Sequence, residues 1–176
     1  GRVRLAREYV WVPDGREEQL IGRVVSETQS MYPIITENTD YADVFDERHF
    51  ARLQGYIDDA VAKGAKLTIV GADKTRASEN NRRMPLHILQ NVTEDMQVMH
   101  EEIVGPILPV MTYTDITEVP NKIEPRRNPL ALYYFGKDKT EQEYLLNHVP
   151  SGGACINHTT LHYVQEDLPF GGVGSS

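Results

Sequence analysis

Alternation is the feature that most restricts what this chain can fold into. Short apolar, β-rich runs at 9–13, 67–70, 86–89, 107–113, 130–135 and 154–157 are interleaved with helical segments at 16–31, 46–64 and 139–149. Strands and helices that alternate over short connections belong to crossovers in an open α/β sheet, because each helix must bury its apolar stripe on a sheet face. The expected fold is an open three-layer α/β/α sheet, mostly parallel.

Local signals sharpen several boundaries. Asp46 is a good N-cap, Phe50, Leu53, Ile57 and Val61 follow at helical spacing, and Gly64 supplies the stop. Leu20, Ile21, Val24 and Val25 form the stripe of the first helix, which follows the turn Pro13-Asp14-Gly15. Pro120 is tolerated only in a first turn, so a helix there starts near Thr117. Residues 33–41 and 72–84 read as loops, 95–100 as a turn of helix, and the glycine-rich end as a tail. No repeat, linker or low-complexity stretch divides residues 1–176, so one domain is expected.

Charge and composition exclude some functions. At 176 residues and formal charge −8, the chain is long enough for a real core and too acidic to favour a phosphate backbone. Its basic clusters, Arg2, Arg4 and Arg7, then Arg82 and Arg83, then Arg126 and Arg127, are short and scattered, so no nucleic-acid partner is expected. No apolar run reaches the roughly 18–20 residues of a membrane helix, and no secretory signal stands at the start, so a soluble cytoplasmic protein without a membrane partner is expected. A single cysteine, Cys155, suits a reducing compartment. With no initiator Met and a turn-like Gly174-Ser175-Ser176, both ends read as cut.

Several familiar motifs fail. Gly71-Ala72-Asp73-Lys74-Thr75 lacks the Gly-Lys-Thr order of a phosphate loop, and His100-Glu101-Glu102 has Val104 where a zinc protease needs histidine. His158 and His162 stand four apart, but their flanks suggest loop or strand, where that spacing does not share a face. No metal site is expected. PFGGVGSS at 169–176 lacks the strand-then-helix context of a dinucleotide fingerprint, and Cys155 in an apolar run reads as a small core residue. Glu101-Glu102 and Glu166-Asp167 on composition alone read as solvated surface.

Taken in order, EEIVGPILPV (101–110), NPLALYYFGKD (128–138), SGGACIN (151–157) and LPFGGVGSS (168–176) resemble the C-terminal motifs of the NAD(P)-dependent aldehyde dehydrogenase superfamily. DERHFARLQGYIDDAVAKGAK (46–66) is similar to the helix that the family carries upstream of them. That helix and the stretch Gln165 to Phe170 most resemble coniferyl aldehyde dehydrogenases. The resemblance implies that residues 1–176 form the C-terminal part of the catalytic domain, with the Rossmann coenzyme half lying upstream and absent from this chain. It also implies oxidation of an aldehyde to a carboxylate with NAD or NADP, and an aromatic aldehyde such as coniferaldehyde as substrate.

Residue roles carry over with the motifs. Glu102, the second glutamate of E-E-I-x-G-P, takes the family's role of accepting hydrogen bonds from the ribose hydroxyls beside the nicotinamide, as a carboxylate can. Val104 stands where the family usually packs a Phe at the nicotinamide end of the cofactor. Gly105 and Pro106 make the turn into the next strand, Phe170 is expected to wall the substrate channel, Asn157 to tie the last strand to its loops, and Gly171 and Gly172 to be structural.

The family's nucleophile is a cysteine thiolate in a segment that reads approximately G-Q-x-C-x-A-P-D/E-Y-x-x-V-P. Aligned without gaps, GRVRLAREYVWVP places Gly1, Ala6, Glu8, Tyr9, Val12 and Pro13 on matching positions, Arg2 on the Gln, Arg7 on the Pro and Arg4 on the catalytic Cys. A guanidinium stays charged and cannot attack a carbonyl. The chain by itself is therefore expected to be inactive, to bind neither NAD nor NADP tightly, and to form a homodimer or larger assembly through sheet edges it leaves unpaired. The alternative is a non-enzymatic assembly module.

Overall fold

The structure, a computed structural model, describes residues 8–35, 37–71, 82–123, 128–169 and 171–173. They fall into two compact units, Gly1–Thr112 and Tyr113–Ser176.

In the first unit the elements run β1 (Val10–Pro13), α1 (Glu17–Met31), α2 (Glu47–Ala62), β2 (Lys66–Val70), β3 (Leu86–Gln90), a 3₁₀ turn (Gln97–Met99) and β4 (Ile107–Tyr113). Four strands form one sheet in the order β1-β4-β3-β2. β3 and β4 are parallel, with His87 opposite Ile107 and Leu89 opposite Pro109. β2 departs from the parallel pattern: it pairs antiparallel with β3, Lys66 opposite Gln90 and Val70 opposite Leu86. Antiparallel neighbours need no crossover helix, which is why this pair interrupts the alternation.

Period-2 alternation sends neighbouring strand residues to opposite faces. Val12, Val70, Ile88 and Val110 bury against Ile21 of α1. Leu89 and Ile107 bury against Leu53, Tyr56, Ile57 and Ala60 of α2. The sheet thus has a helix on each face, the three layers the alternation predicts.

α2 begins and ends on the residues that signal it. The Asp46 carboxylate accepts from the His49 N–H at 2.6 Å, and Gly64 takes φ +98°, a left-handed value suited to glycine after a helix. Its buried stripe differs from the spacing read in the sequence. Val61 is exposed, and Tyr56 and Ala60 are buried. Successive steps of three and four residues drift around the helix, so the fourth turn presents Ala60 to the core.

In the second unit α3 (Glu118–Ile123) carries Pro120 in its first turn, followed by β5 (Ala131–Tyr134), α4 (Lys139–His148), β6 (Gly153–Ile156) and α5 (Leu161–Val164). β5 and β6 pair in parallel, Ala131 opposite Gly153 and Tyr134 opposite Ile156, with α4 as their connection. Asp138 caps α4 by accepting from the N–H groups of Thr140 and Glu141. The stretch around His158–His162, read as loop or strand, instead turns at Thr160 (φ +63°) into the one-turn helix α5 and buries His162.

His87 is expected to make the first unit acid-sensitive. It is buried on β3, and burial holds its imidazole below the ordinary histidine value, opposed by its bond to the Pro85 carbonyl. A histidine depressed in the folded state takes up its proton more readily when unfolded, so stability falls as pH drops below about 6.5. Thermal melts from pH 8 to pH 5 should show this fall in the wild type and a flatter profile in His87→Leu; equal slopes would contradict it.

Candidate active site

The Glu101–Pro106 segment joins the 3₁₀ turn to β4, and every residue in it is gripped from α2 or the sheet. Ile103 is buried in the core cluster that includes Leu53. Val104 takes φ +49°, a left-handed value that a β-branched residue rarely adopts, and its side chain is 43% exposed. Gly105 lies flush against Leu53, since a Cβ there would come within 2.5 Å of the Leu53 Cδ1. The Pro106 carbonyl accepts from the His87 N–H at 2.8 Å, which starts the β3–β4 ladder.

This grip leaves the two glutamates facing outward. Glu101 accepts from the Tyr56 hydroxyl at 2.5 Å and lies 3.5 Å from Arg52 Nη1. Burial, and next this bond, raise Tyr56 above the ordinary tyrosine value and keep it a donor. Just before β1, desolvation raises the Glu8 carboxyl above its usual range, and the Glu102 charge adds to the effect. An exposed carboxylate such as Glu102 accepts hydrogen bonds, the chemistry that a ligand bearing hydroxyl donors requires.

Residues 1–176 match the Aldehyde dehydrogenase family throughout. The chain belongs to the aldehyde dehydrogenase family. Among curated relatives, the probable coniferyl aldehyde dehydrogenase of Pseudomonas aeruginosa is 43% identical over the whole chain, which spans 36% of that protein's length. Among solved structures, the substrate-bound AldH of Staphylococcus aureus superposes with a TM-score of 0.89 at 31% identity, over 99% of this chain and 37% of the other. The NADP-dependent glyceraldehyde-3-phosphate dehydrogenase of Bacillus halodurans, solved with NADP, gives 0.80 at 27% identity, over 96% of this chain and 34% of its own. An aldehyde dehydrogenase fold is thus established for a chain spanning little more than a third of these relatives.

The residues expected to matter are dispersed between the two units. Glu102, Val104, Gly105 and Pro106 sit together in the first. Asn157 lies in the second, at φ +55°, where its side chain bridges the Gly136 N–H and C=O at 2.9 Å each and its own N–H donates to the Tyr134 carbonyl. Gly171 follows at the chain's end, its carbonyl backed by Gly152, and Gly172 is exposed. Arg4 and Phe170 lie outside the described residues.

Two groupings escape sequence reading. His49, Arg52 and Tyr56 form a polar stripe on α2 beneath the Glu101–Pro106 segment; their spacing of three and four was the available signal, hidden by the apolar stripe beside it. Cys155 is buried as its neighbours imply, but its Sγ lies 3.2 Å from Nδ1 of buried His162, a pairing that only the α5 turn creates. Among the described residues no group of three or more His, Cys, Asp or Glu could hold a metal ion, and no helix is long and apolar enough to cross a membrane.

Proposed function

We propose that this chain is the C-terminal part of an aldehyde-oxidising catalytic domain, that it supplies the carboxylate that holds the cofactor ribose, and that as this chain it does not turn over. The observation that carries the reading is the exposed Glu102 on a backbone locked from below, in the motif where the family holds that ribose. NAD or NADP, when bound, supplies the hydride acceptor. Glu102 would hold the ribose hydroxyls, and the exposed Val104 would offer the nicotinamide end an apolar contact smaller than a phenyl ring.

Arg4 is proposed to stand at the nucleophile's position, where it halts the chemistry before its first covalent step. An aromatic aldehyde such as coniferaldehyde is the proposed substrate class, in keeping with the 43% identity to a probable coniferyl aldehyde dehydrogenase. Incubation with coniferaldehyde and either dinucleotide should produce no NADH or NADPH. One ribose contact is weak, so millimolar NAD should leave the melting temperature unchanged within about a degree. Sustained turnover, or a shift of several degrees, would overturn the proposal.

A second reading, assembly, is favoured by apolar side chains of the second unit: Phe135 is 61% exposed and Val164 63%. Light scattering should detect self-association on that reading, and a strictly monomeric solution would dismiss it.

A further inference from the structure

We infer that Arg52 and His49 are positioning residues for Glu102: they hold the backbone of the Glu101–Pro106 segment so that its carboxylate is presented at a fixed place. The inference rests on the reading of Glu102 as the ribose-holding group, and extends it to two α2 residues that touch no ligand themselves.

Three consecutive carbonyls are tethered. Arg52 Nη1 donates to the Glu102 carbonyl at 3.0 Å and Nη2 to the Ile103 carbonyl at 2.8 Å. His49 Nε2 lies 2.8 Å from the Val104 carbonyl. Arg52 also approaches His49 Nδ1, at 3.3 Å from Nε and 3.1 Å from Nη2. A guanidinium only donates, so His49 Nδ1 must accept; its proton then sits on Nε2 and donates to Val104. The pair acts as one unit, with Arg52 selecting the tautomer that His49 needs.

The tethers offset a local strain. Val104 is held at φ +49°, a conformation that persists in a β-branched residue only where its surroundings impose it. The two bonds before it, the bond at its own carbonyl and the Leu53–Gly105 contact supply that constraint. Arg52 is braced in turn by the Tyr56 hydroxyl at 2.7 Å and by Glu101. A lysine ammonium is a point donor and cannot span these acceptors as the planar fork does.

Hydrogen exchange on the chain as it is tests the clamp. In Arg52→Met the amides of residues 102–105 should exchange about tenfold to a hundredfold faster, the factor expected from losing charge-assisted hydrogen bonds, while Ile88 and Leu89 on β3 change little. Arg52→Lys should fall between, His49→Ala should loosen residues 104–105, and His49→Gln, which keeps a donor, should recover much of the protection. Should Arg52→Met fail to fold, Arg52→Lys and the His49 pair carry the same comparison. Unchanged exchange at 102–105, or a rise shared equally with β3, would overturn the proposal.

Saturation-transfer NMR with millimolar NAD separates the clamp from the reading beneath it. The wild-type chain should transfer to the ribose protons beside the nicotinamide, and both Glu102→Gln and Arg52→Met should lose that transfer. Loss in Glu102→Gln with retention in Arg52→Met would refute the positioning role alone. No transfer from the wild type, or retention in Glu102→Gln, would refute the ribose reading and leave the clamp to be judged by its exchange pattern.

Discussion

Leu53→Ala should lower the unfolding free energy by about 2–5 kcal/mol, the largest stability loss expected from a single truncation in the first unit. Leu53 is fully buried in the cluster that joins α2 to β3, β4 and Ile103. It is also the side chain on which Gly105 rests. Its removal opens a cavity and withdraws the floor of the Glu101–Pro106 segment at once, so exchange at that segment should rise with the loss of stability. Urea unfolding measures the first effect directly. A loss below about 1 kcal/mol would mean that the surrounding side chains collapse into the space, and that the segment is not seated as described.

In the second unit the largest effect should come from adding one methyl group. A Cβ at Gly152 would lie 2.1 Å from the Gly171 carbonyl oxygen and 2.7 Å from that of Leu130. Both are backbone atoms, which cannot rotate aside as a side chain could. Gly152→Ala must therefore push the end of the chain away from β6 or distort the bonds from Gly152 and Gly153 to the Pro129 and Leu130 carbonyls. Overpacking of this kind costs roughly 1–3 kcal/mol. Gly22→Ala, in a helix with open space around that glycine, is the control and should be neutral or mildly stabilising. Equal melting temperatures for the two variants would show that the close approach does not exist.

Much of this was legible in the sequence where a local rule acts by itself. Asp46 and Gly64 bracket α2 because capping needs only neighbouring residues, and the bounds of β4, 107–113, follow from one apolar run ended by polar residues. The ribose-site candidate was legible through resemblance: on composition Glu101 and Glu102 are two solvated acids, and only the ordered motifs around them single out the second. What escaped depends on distant partners. Arg52 looks like a surface arginine until carbonyls fifty residues away are brought over it. α5 has no cap or periodicity to announce it, and the turn at Thr160 that creates it needs a left-handed backbone that threonine does not signal.

The proposal that Arg4 occupies the nucleophile's place is tested most directly by looking for the bond it would forbid. The chain is incubated with coniferaldehyde and NAD, digested, and its peptides weighed. If Arg4 has replaced the cysteine, residues 1–13 carry no NAD-dependent acyl group, the mass of the aldehyde less the hydride and proton it would surrender. An acyl group on that segment, appearing only when NAD is present, would contradict the account.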